Sequence, residues 1–177
     1  MLAVSRASQK VVVVGGGAAG YMAAIQSASL LRTNGITNDD CEILIFEATS
    51  KPLQKVSISG GGRCNVMHNP YVGEKTIANG YPRGSKELIG PYSKAFSPAD
   101  TWDFFSSKVP LKIESDGRVF PETDQSASII KVLKSEAELN HVSEVCGVNV
   151  KEIFHNKDDN YFSLLTHKNK MIIQRKH

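Results

Sequence analysis

A chain of 177 residues with 41% hydrophobic and 22% charged residues, 14 Gly and 7 Pro has the makeup of a folded globular protein, which excludes extended disorder and fibrous repeats. The net charge of +3, from 21 Lys and Arg against 18 Asp and Glu, is scattered except in the tail KNKMIIQRKH, so no nucleic-acid partner is expected. The longest apolar run is short and broken by glycine, which excludes a helix crossing a bilayer and makes a soluble protein the expectation.

The opening MLAVSRASQK has two basic residues, two serines and no acid, a faint likeness to an organelle transit peptide; it is read as a plain tail over residues 1–10. Val11 to Val14 form a β-branched run without alternation, the pattern of a parallel strand covered on both faces. GGGAAGYMAAIQSASLLR then reads as a tight turn and a helix, with Ala19, Met22, Ala23, Gln26 and Leu30 at helical spacing. TNGITNDD breaks the helix and CEILIFEA, Cys41 to Ala48, is the second strand. Residues 11–48 therefore spell a βαβ unit.

The stretch from Lys51 to Asn69 reads as loop, and the following NPYVGEKTIANGYPRGSKELIGPY is too rich in Gly, Pro and Asn for any one element. Ser97 and Pro98 are an N-cap and first helical residue for ADTWDFFSSK, in which Trp102, Phe104 and Phe105 are expected to pack a small core. Asp116 and Gly117 mark a hairpin turn in LKIESDGRVFPE. Thr123 is placed to cap DQSASIIKVLKSEAEL, whose Ile129, Ile130, Leu133 and Ala137 line one face. VSEVCGVNVKEIF, YFSLLTH and KMIIQ read as three short strands. The fold class is thus α/β: a Rossmann-like unit over 11–69 that includes a glycine-rich loop, a loop-rich α+β insertion over 70–122, and a helix with a three-stranded meander over 123–177.

Gly15, Gly17 and Gly20 form G-x-G-x-x-G between strand and helix. In that context Gly15 permits the turn, Gly17 lets a pyrophosphate approach the backbone, and Gly20 lets helix and strand pack closely. The helix start at Ala18 and Ala19 supplies free N–H groups and a partial positive charge. Glu47, with Ala48 after it, ends the second strand where an acid accepts hydrogen bonds from ribose hydroxyls and disfavours a 2′-phosphate. It stands 27 residues after Gly20, and the loop TNGITNDD absorbs the excess spacing. A glycine turn without ligand and a solvated strand-end acid are the plain alternatives, and the fingerprint does not choose between NAD and FAD.

Three segments in order, VVVVGGGAAGYMAA, IFEATSKPLQKVSISGGGRCNVMHN and DGRVFPETDQSASIIKVL, resemble the YhiN-like (BaiN-type) family of FAD-dependent oxidoreductases, over about Lys10 to Thr166. SGGGRCN is the most specific element. The resemblance implies that this loop lies against the flavin: Gly60, Gly61 and Gly62 offering N–H groups, Arg63 a fixed cation, and Asn65 a two-way amide. It places Lys55 near the same cofactor and matches Val150 to a valine whose backbone faces adenine; the alternatives are a solvated lysine and an ordinary strand residue.

Cys64 lies beside Arg63 but has no nearby second cysteine, so a packing or backbone role at the cofactor is expected in place of a redox one. The three cysteines, Cys41, Cys64 and Cys146, form no C-x-x-C pair and suit a reducing compartment, the cytoplasm or an organelle matrix or stroma. No metal ligand set and no catalytic acid or base stands out. Members of the family continue past this point with an ATGG-like strand, so the chain is expected to be an incomplete portion, inactive and poorly soluble alone. The complete protein is expected to be an FAD-dependent oxidoreductase acting on a small organic substrate, with NAD(P)H a candidate co-substrate. An NAD-dependent reductase and a cofactor-binding fragment without turnover stay open, and so does the oligomeric state.

Overall fold

A computed structural model describes residues 9–83, 87–158, 161–167 and 170–173. The tail up to residue 8 and Gln174 of the expected last strand lie outside them. In chain order the elements are β1 (Gln9–Val14), α1 (Ala18–Thr33), β2 (Cys41–Glu47), α2 (Gln54–Ile58), a 3-10 turn at Ser59–Gly62, β3 (Met67–His68), a 3-10 turn at Pro70–Val72, α3 (Glu74–Asn79) and α4 (Ile89–Lys94). They continue with α5 (Pro98–Ser106), β4 (Leu111–Ile113), β5 (Arg118–Pro121), α6 (Ser126–Leu139), β6 (Val142–Cys146), β7 (Val150–Asn156), β8 (Tyr161–Thr166) and β9 (Lys170–Ile173). Two compact units result, Met1–Gln54 with Leu133–His177, and Lys55–Val132.

The first unit is built on a parallel sheet in the order β1-β2-β6, the arrangement the βαβ reading requires. Its central strand β2 is buried at Cys41 and from Ile43 to Phe46, because neighbours flank it on both sides. The valine run of β1 departs from expectation: it is half-buried, Val14 is 49% exposed, and β2 is its one strand neighbour among the described residues. β-branched residues mark a strand through their fit to the pleat and do not by themselves report coverage of both faces.

Helix α1 buries Tyr21, Ala24, Ile25 and Ala28, not the expected stripe of Ala19, Met22, Ala23, Gln26 and Leu30; Leu30 is 54% exposed. Small Ala24 and Ala28 let the helix lie close to the sheet, and the fully buried Tyr21 donates its hydroxyl to Glu144 on β6. The first of the three expected terminal strands is in fact two. VSEVC completes the parallel sheet as β6, the chain turns at Gly147, and β7 opens the antiparallel β7-β8-β9 meander. Leu164 of that meander packs with Leu44 and Phe46, flanked by Val12, Val145, Val148 and Val150.

The second unit centres on β5 in a β3-β5-β4 antiparallel sheet, where Val119 and Phe120 are fully buried. The Asp116–Gly117 turn joins β4 and β5 as expected. Ser97 caps α5 in a reciprocal box with Asp100, and Phe105 is buried while Trp102 and Phe104 are half-buried. Where a loop was expected after Lys51, α2 and the Ser59–Gly62 turn form instead. Thr123 does not cap α6: its hydroxyl meets that of Ser128 at 2.7 Å, and Asp124 at φ +53° breaks the path into the helix. Val132 joins Ile129, Leu133 and Ala137 in the buried stripe of α6, while Ile130 is half-buried.

Candidate cofactor site

The fingerprint glycines sit at the C-terminal end of β1. Gly15 takes φ +107°, and its N–H donates to Phe46 O at 2.8 Å, which ties the turn to β2. A Cβ on Gly20 would stand 1.9 Å from Gly15 O, so the contact of helix and turn tolerates glycine alone. A Cβ on Gly17 would meet nothing within 4 Å. Gly17 is also the N-cap of α1 and provides no side-chain cap, and the first intrahelical bond runs from Tyr21 N–H to Gly17 O at 3.0 Å. The amides of Ala18, Ala19 and Gly20 precede that bond and point out of the helix start, beside open space.

Glu47 closes the same corner. Its Oε2 accepts the Gly16 N–H at 2.8 Å, and its Oε1 accepts both the N–H and the hydroxyl of Thr49 at 2.8 Å. These bonds, the Thr49 N–H foremost, hold the carboxyl below its ordinary pKa and keep it ionised. Gly16 is fixed from its other side by Leu53, whose N–H donates to Gly16 O at 2.7 Å. The β6–β7 turn joins the corner too: Gly147 N–H donates to Thr49 O and Val148 N–H to Glu47 O, both at 2.9 Å. Gly15, Gly17, Gly20, Glu47, exposed Ala48 and the segment leading to half-buried Val150 are therefore brought together within one unit.

Gly16, Thr49 and the Gly147–Val148 amides were absent from the sequence reading. Thr49 had a local signal, a hydroxyl two residues after a strand-end acid. The amides had none, since they are held through pairing of β2 with a strand about a hundred residues later.

The second glycine cluster belongs to the other unit. Gly60, Gly61 and Gly62 take φ of +57°, +70° and +87°, and Cys64 follows at +64°. So many left-handed residues in succession explain why bare backbone is needed there. A Cβ on Gly60 would lie 2.9 Å from both Asn65 N and Phe120 Cε1. Arg63, expected as a fixed cation, is held by partners within the protein. Its Nη1 donates to Glu114 Oε1 at 2.6 Å and Asp124 Oδ1 at 3.2 Å, and its guanidinium lies 3.8 Å above the Phe120 ring. That side chain ties the loop to β5 and the turn before α6. Cys64 is buried and burial raises its pKa, which makes it an unreactive packing thiol, whereas Lys55 and Asn65 are exposed.

No cluster of His, Cys, Asp and Glu that could hold a metal exists among the described residues, and none of their helices is long and apolar enough to cross a membrane.

The pattern of the HI0933-like protein Rossmann domain matches residues 9–176. The chain belongs to this family. Membership agrees with the resemblance read from SGGGRCN and with the Rossmann-like fold. Among curated proteins, the HI0933-like chain is 29% identical over 144 residues to the 3-dehydro-bile acid delta(4,6)-reductase of Clostridium scindens, covering 81% of this chain and 32% of that protein. It thus spans about a third of the curated relative it matches. Similar folds include the 3-ketosteroid-delta4-(5alpha)-dehydrogenase of Rhodococcus jostii RHA1, with a TM-score of 0.61, 16% identity and coverage of 97% and 45% of the two chains. A flavocytochrome c3 fumarate reductase gives 0.60, 19% identity, and coverage of 97% and 33%.

Proposed function

We propose that this chain is the FAD-binding portion of an oxidoreductase that passes a hydride or electron pair between the flavin and a small organic substrate, with NAD(P)H as the other partner. The observation that carries the reading is the corner at Gly16 and Glu47, where an ionised acid, a side-chain-free turn and the uncapped start of α1 lie together. These residues fit the adenosine diphosphate moiety. The amides of Ala18, Ala19 and Gly20 take the pyrophosphate, with Gly15 and Gly17 leaving room for it. Glu47 retains lone pairs beyond those its three protein donors use, and these accept ribose hydroxyls beside Ala48. Its fixed negative charge opposes a 2′-phosphate. The Val150 backbone faces the adenine.

Lys55, Gly60, Gly61, Gly62, Cys64 and Asn65 are assigned to the flavin end, the glycines and Cys64 through their backbone and Asn65 through its amide. Arg63 acts there by fixing the loop's shape. Bound FAD supplies the electron chemistry, and the protein supplies orientation and electrostatics. The curated relative is named a reductase, which supports the reductive direction. Three free cysteines support a reducing compartment, and we assign the cytoplasm.

Titration of FAD and, separately, NADH into the purified protein, followed by calorimetry, tests this reading. Saturable uptake of FAD near one equivalent, abolished by Gly17→Val, is expected. Uptake of NADH with none of FAD overturns the assignment in favour of a nicotinamide-dependent reductase.

A further inference from the structure

The second unit contains a cavity of about 580 Å³ in which Asn65 is the one described lining residue given a functional role above. It lies between the start of β3 and the helices α3 and α5, and its volume falls in the range of small-molecule sites, roughly 300–1,000 Å³. None of the described residues that line it is Asp, Glu, Lys or Arg. Its walls include Met67, Ile77, Tyr81 and Phe96. Tyr81 and Phe96 are 54% and 44% exposed, an unusual state for two aromatic rings facing one concavity.

Four described lining side chains, those of Asn65, His68, Thr76 and Tyr81, carry groups that no hydrogen bond among the described residues engages. The His68 ring is exposed on one side and covered on the other. A Cβ on Gly117 would stand 2.5 Å from its Cε1, so the imidazole packs directly on the bare backbone of the β4–β5 turn. Asn69 N–H, donating to Gly117 O at 2.7 Å, fastens that turn to the end of β3. By contrast, the polar groups of Ser97 and Thr101 are consumed locally, by Asp100 and by Ser97 O. The cavity thus offers largely apolar walls, no acidic or basic side chain among its described lining residues, and the exposed His68 imidazole at one end.

We propose that this cavity binds an uncharged, ring-containing organic molecule whose carbonyl oxygen accepts a hydrogen bond from His68. The inference rests on the second unit alone and stands whether or not the flavin reading does.

The test uses the purified protein and Nile red, an uncharged aromatic ketone whose emission rises in apolar surroundings. One saturable site per chain is expected. Displacement is then compared at pH 8.5 for three compounds of like size: 2-acetylnaphthalene, 2-ethylnaphthalene and 2-naphthoate. The ketone is expected to displace the dye at about tenfold lower concentration than the hydrocarbon, and at lower concentration still than the carboxylate. Thr76→Trp, at an exposed lining position, is expected to weaken Nile red binding at least tenfold with an unchanged circular dichroism spectrum, and His68→Leu to make ketone and hydrocarbon equal. Unsaturable dye uptake, a carboxylate equal to the ketone, or a folded Thr76→Trp protein that binds normally overturns the proposal. Should either variant misfold, the ranking of the three compounds on the unmodified protein decides.

Discussion

The Gly16 N–H donates to Glu47 Oε2 at 2.8 Å, so the acid at the end of the second strand holds the fingerprint turn at the end of the first. Because Thr49 holds the other oxygen, both ends of the carboxylate are fastened to main chain. Glu47→Gln removes the charge and one acceptor, and it is expected to weaken FAD binding by about tenfold, read by calorimetry.

The same carboxylate makes stability depend on acid. Its pKa in the fold lies below the ordinary 4.5, so its stabilising bonds are fully present above that value and are lost as pH falls through the depressed one. Urea unfolding between pH 6 and pH 3 is expected to show a steeper loss of stability for the unmodified protein than for Glu47→Gln. Parallel curves would contradict the role given to this group.

Gly17 and Gly20 separate binding from folding. Gly20→Ala forces a Cβ against Gly15 O and is expected to destabilise by about 1–3 kcal/mol or more. Gly17→Ser meets no atom and adds the hydroxyl cap that α1 lacks, so the ligand-free protein is expected to gain a few tenths of a kcal/mol while FAD binding falls. Thermal melts with and without FAD read both effects.

Alanine at Gly60, Gly61 or Gly62 enters the left-handed region, at a cost of about 1–2 kcal/mol each. Gly60→Ala is expected to be the worst of the three, because its Cβ also strikes Asn65 N and the Phe120 ring. Urea midpoints of the three variants provide the ranking.

Arg63→Ala is expected to lower the urea midpoint more than Arg63→Lys does, since a lysine keeps a charge near Glu114 and Asp124 but loses the bidentate bond and the stack on Phe120. A variant with unchanged stability and altered FAD binding would instead assign the Arg63 charge to the flavin itself.

What could be read in advance was what neighbours in sequence decide. The βαβ order, the Ser97 cap and the Asp116–Gly117 turn each declare themselves within a few residues. The helix face of α1 did not, because an alanine-rich helix offers little contrast between its sides and Tyr21 is drawn inward by Glu144, 123 residues away. The partners of Arg63, Glu114 and Asp124, stand 51 and 61 residues on, beyond the reach of any local pattern. The break at Gly147 was missed since β6 and β7 are both short and β-like, and only their membership of different sheets tells them apart.

The corner at Gly16 and Glu47 is fastened entirely by the chain's own donors. An incoming adenosine diphosphate therefore finds its seat cast in advance, and little entropy is lost in ordering the polypeptide around it. Stopped-flow uptake would then follow one phase, linear in nucleotide concentration, with no slow rearrangement behind it.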